Sequence, residues 1–205
     1  ATLGNPVVEL LLRNRSMQLF SAANAIWEYS FAGLKTFIVL YVTKGLGRSY
    51  YLADVFIAIV AVAYVIGAPI AGRLAERYGM VRVMEVAAAV YGVFLCFAVI
   101  PRTVTPMLIL LPVGAIAGSI LMTLPQALAF TLAPDDAQGS AAGLVEFSRG
   151  IGVVLGPLLV GAAVSAFSSS LDATHGYAVM WPMIGVPMLG SLVLLRLLHR
   201  RIGAI

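Results

Sequence analysis

The chain has 205 residues, 61% of them hydrophobic and 11% charged, and its mean hydropathy is +0.99. A soluble domain carries roughly 25% charged residues, so a water-soluble globule is excluded and the chain is built for lipid. The net charge of +4 does not point to nucleic acid, because the basic residues sit at the ends of apolar runs instead of forming a patch.

A membrane-spanning helix needs about 20 mostly apolar residues, each rising about 1.5 Å. Six such runs follow one another, and the loops between them are too short for a soluble domain. The expectation is an all-α membrane protein with six transmembrane helices. Residues 1–16 read as a cytoplasmic or interfacial lead-in, 17–198 as the six-helix bundle and 199–205 as a cytoplasmic tail. In the lead-in, Leu10, Leu11 and Leu12 precede Arg13-Asn14-Arg15, a short amphipathic piece for the membrane surface. A cleavable signal peptide would carry its basic residues before its apolar run. The chain opens on Ala1, not Met, and reads as a piece of a longer protein.

The first helix is predicted over 17–43 and ends at Lys44-Gly45-Leu46-Gly47-Arg48. The second covers 51–74, with Gly67 and Pro69 near its end. A charged island follows at 72–82, where Arg73, Glu76, Arg77 and Arg82 cannot sit in hydrocarbon. Gly72 and Gly79 bracket it. Glycine accepts positive φ without a Cβ clash, so a tight hairpin is expected there, on one defined side of the bilayer.

The third helix is predicted over 82–100 and closes at Pro101-Arg102-Thr103. The fourth spans 106–132 and is bendable at Pro112, Gly114 and Gly118, because neighbouring helices can satisfy the freed backbone groups. A polar turn at 133–139 leads into the fifth helix, 141–167. The longest loop, 168–176, precedes the sixth, 177–198, which Pro182 and Pro187 are expected to break.

Positive charge sets the orientation. Arg13, Arg15, Arg73, Arg77, Arg82, Arg196, Arg200 and Arg201 fall on one side, and Lys44, Arg48 and Arg102 on the other. The richer side is assigned to the cytoplasm, with both termini there. A faint internal repeat relates Gly67-Ala68-Pro69-Ile70-Ala71-Gly72 in the second helix to Gly156-Pro157-Leu158-Leu159-Val160-Gly161 in the fifth. If the first three helices correspond to the last three, the odd count inverts one unit against the other.

The charged island resembles the loop signature Gly-x-x-x-Asp-Arg-x-Gly-x-Arg/Lys-Arg/Lys of the major facilitator superfamily of secondary transporters. Gly72, Arg77, Gly79 and Arg82 match; Glu76 stands where Asp is usual and Val81 where a basic residue is common. The resemblance covers nearly the whole chain as one six-helix half, built of two inverted three-helix repeats. The second, C-terminal half is favoured, since residues 5–15 look like a link and 105–111 lack the arginine usual in first halves. It implies alternating access between two six-helix bundles in a plasma (inner) membrane, the mate being the other half of the same protein or a second copy. The first, second, fourth and fifth helices would face the cavity, and the island, through Glu76 and Arg77, would latch a cytoplasmic gate. For those arginines the alternative is topology alone.

Enzymatic readings fail quickly. The two histidines, His175 and His199, lie in a loop and near the C-terminus, so an intramembrane serine protease lacks its base. No His/Cys/Asp/Glu spacing fits a metal, and no Gly-x-x-x-x-Gly-Lys-Ser/Thr loop suggests ATP hydrolysis. The nearest thing to an aquaporin box, Asn5-Pro6-Val7, precedes the first span. The lone Cys96 lies in an apolar run and allows no disulfide framework. No enzyme activity, cofactor or metal is expected, though a proton is a candidate coupling ion.

The informative residues are polar groups inside spans. Ser21, Asn24, Glu28 and Lys35 form a stripe on the first helix. Glu28 and Lys35 are two turns apart, about 10 Å. One reading is a structural ion pair across helices; the other is a substrate or proton site. A charge at membrane depth costs about 2.5–3.5 kcal/mol on insertion scales and defaults to function. Glu28 is the first candidate for a proton site, while Lys35 is close enough to the outer interface to snorkel.

Glu146 and Arg149 share a face in the first turns of the fifth helix, as a gate or interface salt bridge. Ser119, Thr123 and Gln126 on the fourth helix form either a hydrogen-bonding cavity wall or helix–helix contacts. Gly152, Gly156, Pro157 and Gly161 resemble the family's Gly-x-x-x-Gly-Pro-x-x-Gly-Gly motif of proton-coupled exporters, with close helix packing as the alternative. Trp27, Trp181 and the tyrosines read as packing or interface anchors.

The functional expectation is secondary active transport of a small organic solute, proton-coupled and outward. Alternatives are uptake of a sugar or organic acid by symport, and a non-transporting membrane subunit or scaffold. The expected partners are the lipid bilayer, a small-molecule substrate and a second six-helix bundle, with no nucleic acid.

Overall fold

The structure, a computed structural model, describes residues 10–12, 14–98 and 104–202, apart from the side chains of 104–108 and 172. The described residues contain six long α-helices: α1 (Arg15–Leu40), α2 (Tyr50–Tyr78), α3 (Met80–Phe97), α4 (Val104–Leu132), α5 (Gln138–Ala166) and α6 (Met180–Ile202). Most of the lead-in, the 101–103 turn and residues 203–205 lie outside the described residues.

The helix ends follow local chemistry. Asn14 caps α1, its Oδ1 accepting from Ser16 N at 3.0 Å and Met17 N at 3.2 Å. Its Nδ2 donates to the Leu132 carbonyl at 3.0 Å, which ties the start of α1 to the end of α4. Beyond Leu40 the chain passes through a π turn at Tyr41–Gly45, so a helical path continues through Thr43 and Lys44.

The charged island differs from expectation. Arg73, Glu76 and Arg77 do not form a loop but continue α2 to Tyr78, and the reversal contracts to one residue, Gly79, at φ 83°. Gly72 sits inside the helix, without positive φ. Leu, Ala, Glu and Arg are good helix formers, so the charged segment continues the helix instead of ending it. The sixth helix is likewise unbroken: Pro182 falls in its first turn, where the missing N–H has no acceptor to lose, and Pro187 lies within it.

Five of the six helices are long and apolar enough to cross a membrane. The exception is α1, which has the length, at 26 residues. Its polar stripe, Ser21, Asn24, Glu28 and Lys35, together with Ser30 on the face toward α6, lowers its hydropathy. So the expectation of six apolar runs holds for five, and the remaining helix is the one that carries the candidate site.

Packing is most extensive for α1 on α5, then α3 on α6, α2 on α4, α1 on α6 and α3 on α4. This set is unchanged when α1, α2 and α3 are exchanged with α4, α5 and α6. The glycines of the faint repeat obey the same exchange. A Cβ at Gly156 on α5 would run into the Tyr29 carbonyl of α1, and one at Gly67 on α2 into Ser119 of α4. Each marks the crossing of a second helix over the first helix of the other triple, at a distance only glycine allows.

Two ends of the bundle are thereby defined. At one, His199 of α6 meets Glu85 of α3 at 3.3 Å, and Asn14 meets Leu132. At the other, Gly45 abuts Tyr177 and the Thr174 carbonyl. The first end collects Arg15, Arg73, Arg77, Arg82, Arg196, Arg200 and Arg201, as the charge count anticipates. Trp27 and Trp181 are fully buried, packed between the helices.

Candidate functional site

The polar stripe of α1 turns inward and meets α5. Asn24 is buried, and its Nδ2 donates to Ser148 Oγ at 2.8 Å and to the Val145 carbonyl at 3.2 Å. One turn on, Glu28 Oε1 accepts from Arg149 Nε at 3.0 Å. Arg149 also reaches Glu146 Oε1 through Nη1 at 3.2 Å. Glu28 keeps 11% of its side chain exposed, Arg149 41% and Glu146 62%, so the cluster runs from the core outward.

Why α1 and α5 come this close is legible in the backbone. A Cβ on Gly152 would strike the Ala25 carbonyl and come within 2.6 Å of Tyr29 N. One on Gly156 would stand 3.0 Å from Gly33 N. The small residues let the two backbones touch, and that contact carries Arg149 to Glu28. A second set of bonds locks α1 to α6: Trp27 Nε1 donates to Ser191 Oγ at 2.9 Å, and Ser30 Oγ to the Ile184 carbonyl at 2.9 Å.

Above the cluster a cavity of about 600 Å³ is lined by residues of all six helices, among them Glu28, Lys35, Tyr64, Tyr91, Arg149 and Trp181. Lys35 is exposed at its wall and makes no ion pair or hydrogen bond with a described residue. Pro157 also lines the cavity.

The residues singled out from sequence divide into groups. Asn24, Glu28, Arg149, Gly152 and Gly156 come together at the α1–α5 crossing. Glu28 is paired with Arg149 and makes no ion pair with Lys35. Glu146 and Arg149 lie roughly two to three turns inside α5, not in its first turns, because the helix starts at Gln138, directly after a short 3-10 turn at Asp135–Ala137. A Cβ at Gly161 would stand 3.1 Å from the Phe37 ring.

The α4 residues stay apart from the cavity wall. Ser119 is buried against Gly67 and bonds the Ile116 carbonyl at 2.8 Å; Thr123 bonds back to the Ser119 carbonyl at 2.8 Å; Gln126 is exposed. The island residues Gly72, Glu76, Arg77, Gly79 and Arg82 lie at the basic end. Arg77 stands 5.2 Å over the Tyr78 ring, and none of the island's charges has an ion-pair partner among the described residues. Sequence reasoning passed over Tyr64, Tyr91 and Trp181 as cavity residues. Their signal was an aromatic ring with a polar tip in the middle of an apolar run.

Comparison with known proteins agrees with this fold. The family model described as Major Facilitator Superfamily matches residues 20–203. No curated protein sequence matches significantly. Among solved structures, a peptide transporter POT in complex with alafosfalin superposes with a TM-score of 0.75 at 19% identity, over 89% of this chain and 38% of that one. The xylose transporter XylE from E. coli, inward open, gives 0.69 at 18% identity, over 88% and 46%. A bacterial homolog to human lysosomal transporter Spinster gives 0.61 at 14% identity, over 94% and 47%. At such identities the likeness is one of fold, and the chain spans less than half the length of each.

Proposed function

The chain belongs to the major facilitator superfamily, and from that premise we propose that it serves secondary active transport of a small organic solute by alternating access. The observation that carries the reading is the Glu28–Arg149–Glu146 cluster beneath a cavity of about 600 Å³ in an otherwise apolar bundle. Charges at that depth are expensive, and they persist where a substrate or ion passes. The exchange symmetry of the packing supports two three-helix repeats, inverted because each contains an odd number of crossings. All six helices, α1 included, then cross the membrane, with the basic end in the cytoplasm of a plasma (inner) membrane.

We assign the working unit two such bundles. The mate is the other half of the same polypeptide or a second copy. Coupling to protons rests on two carboxylates sharing one guanidinium: protonating Glu28 frees Arg149 to Glu146 alone and loosens α1 from α5. The likeness of Gly152, Gly156, Pro157 and Gly161 to an exporter motif favours efflux. The test is solute flux by the complete protein in proteoliposomes, with and without a pH gradient. Full proton-driven flux by Glu28→Gln removes Glu28 from the coupling step.

A further inference from the structure

We propose that a groove between α2, α3 and α4 at the basic end holds an anionic phospholipid, its phosphate on Arg82 and one acyl chain along the valines behind it. The inference rests on these helices crossing a membrane and is independent of what the cavity carries.

The groove encloses about 430 Å³ and shares no lining residue with the cavity. Its three helices are all among those long and apolar enough to span. On α3, Arg82, Val86 and Val90 recur every fourth residue, so one stripe runs about 12 Å from a guanidinium into the apolar band. Leu74 and Tyr78 repeat that spacing on α2. Polar groups are confined to the mouth, and every other lining residue is Leu, Val, Ile or Ala. A charged head on an apolar tail matches that profile.

Membrane topology accounts for arginines at this end of the bundle. It does not account for one at the head of a groove. Arg82 makes no ion pair or hydrogen bond with a described residue. A second guanidinium, Arg77, stands 5.2 Å over the ring of Tyr78, the other rim residue. The acids beside them in sequence turn elsewhere. Glu85 meets His199 of α6 at 3.3 Å, and Glu76 falls about 200° round α2 from Leu74. The mouth is therefore positive, and a lipid phosphate complements it.

A second helical bundle is the other candidate to cover the groove, and α4 argues against it. Leu111 and Met122 of α4 line the cavity, whereas Val113, Ile116, Ala117 and Ile120 line the groove. At 3.6 residues per turn the two sets lie about 180° apart. A bundle that closes the cavity meets the Leu111 face and leaves the opposite one to lipid.

The experiment uses the complete protein in phosphatidylcholine bilayers. These are doped with a photoreactive lipid, a diazirine in mid-chain, carried on either phosphatidylglycerol or phosphatidylcholine. Peptide mapping after irradiation reads the labelling of residues 82–90 and 113–120. The anionic lipid is expected to label both segments about fivefold or more above the neutral one, as one well-placed arginine allows. Arg82→Gln should bring it down to the neutral level, and Arg82→Lys should keep most of it. Arg196→Gln, at the same end but off the groove, should change nothing. Val86→Trp should fill the groove and lower labelling by both lipids. Equal labelling of the native protein by the two lipids means bulk lipid only and overturns the proposal. So does a preference that survives Arg82→Gln, or one lost as fully with Arg196→Gln. Labelling by neither lipid shows the groove covered by protein and overturns it as well.

Discussion

Arg149 Nε lies 3.0 Å from Glu28 Oε1, so a residue of α5 neutralises one on α1 that is distant in sequence. An ion pair half in the core is costly to break from one side, because the remaining charge keeps its burial and loses its compensation. Glu28→Gln and Arg149→Gln should each lower stability by about 1–3 kcal/mol, between the values for exposed and buried pairs. The double variant should recover part of the loss. Thermal melting of the four proteins in detergent measures this; strictly additive losses would show that the pair is not coupled.

The α1–α5 crossing rests on two glycines. Gly156→Leu forces a side chain into the Tyr29 carbonyl and should destabilise by about 1–3 kcal/mol or more, the usual cost of overpacking. Gly150→Ala, with nothing within 4 Å of its added Cβ, should be neutral or slightly stabilising. Melting temperatures of both, with expression level as a second readout, decide between a Gly-dependent crossing and mere tolerance for small residues.

The two glycines of the charged island should respond differently. Gly79 sits at φ 83°, so Gly79→Ala should cost about 1–2 kcal/mol in backbone strain. Gly72 is helical with open space at its Cβ, so Gly72→Ala should be harmless. Equal effects on stability in the two variants would mean that the reversal lies elsewhere.

Whether α1 crosses the membrane can be read by labelling. In a Cys96→Ala background, single variants Arg15→Cys, Arg48→Cys, Glu76→Cys, Asp136→Cys and Ser169→Cys are treated with a membrane-impermeant maleimide. Positions 15, 76 and 136 should react from one side, and 48 and 169 from the other. Reaction of 15 and 48 from the same side would place α1 on the surface, with five crossings in total.

Much of the architecture was legible because membrane helices announce themselves by length and apolarity. The order of six helices, their approximate bounds and the basic end came from runs of apolar residues and the placement of arginines. The island was misread as a loop because charge marks where a chain leaves hydrocarbon, not where its hydrogen-bonded helix stops; Gly79 alone carries that information. Pro182 and Pro187 were over-read: a proline in a first turn, as at 182, removes no bond, and the helix continues past the one at 187.

The sequence by itself determined that the chain is built for lipid, which end carries the positive charge, and that Glu28 falls inside a span, where a charge needs a partner or a wet cavity. Only the tertiary structure decided the partners. Glu28 faces Arg149, and Lys35 is left without a protein acid among the described residues. Ser119 packs on a glycine, outside the cavity wall. The reason is geometric: periodicity gives the face of a helix on which a residue sits, whereas the neighbour of that face depends on which backbones approach closely. Those approaches are set by Gly67, Gly152 and Gly156, whose missing side chains leave little trace in a hydropathy pattern.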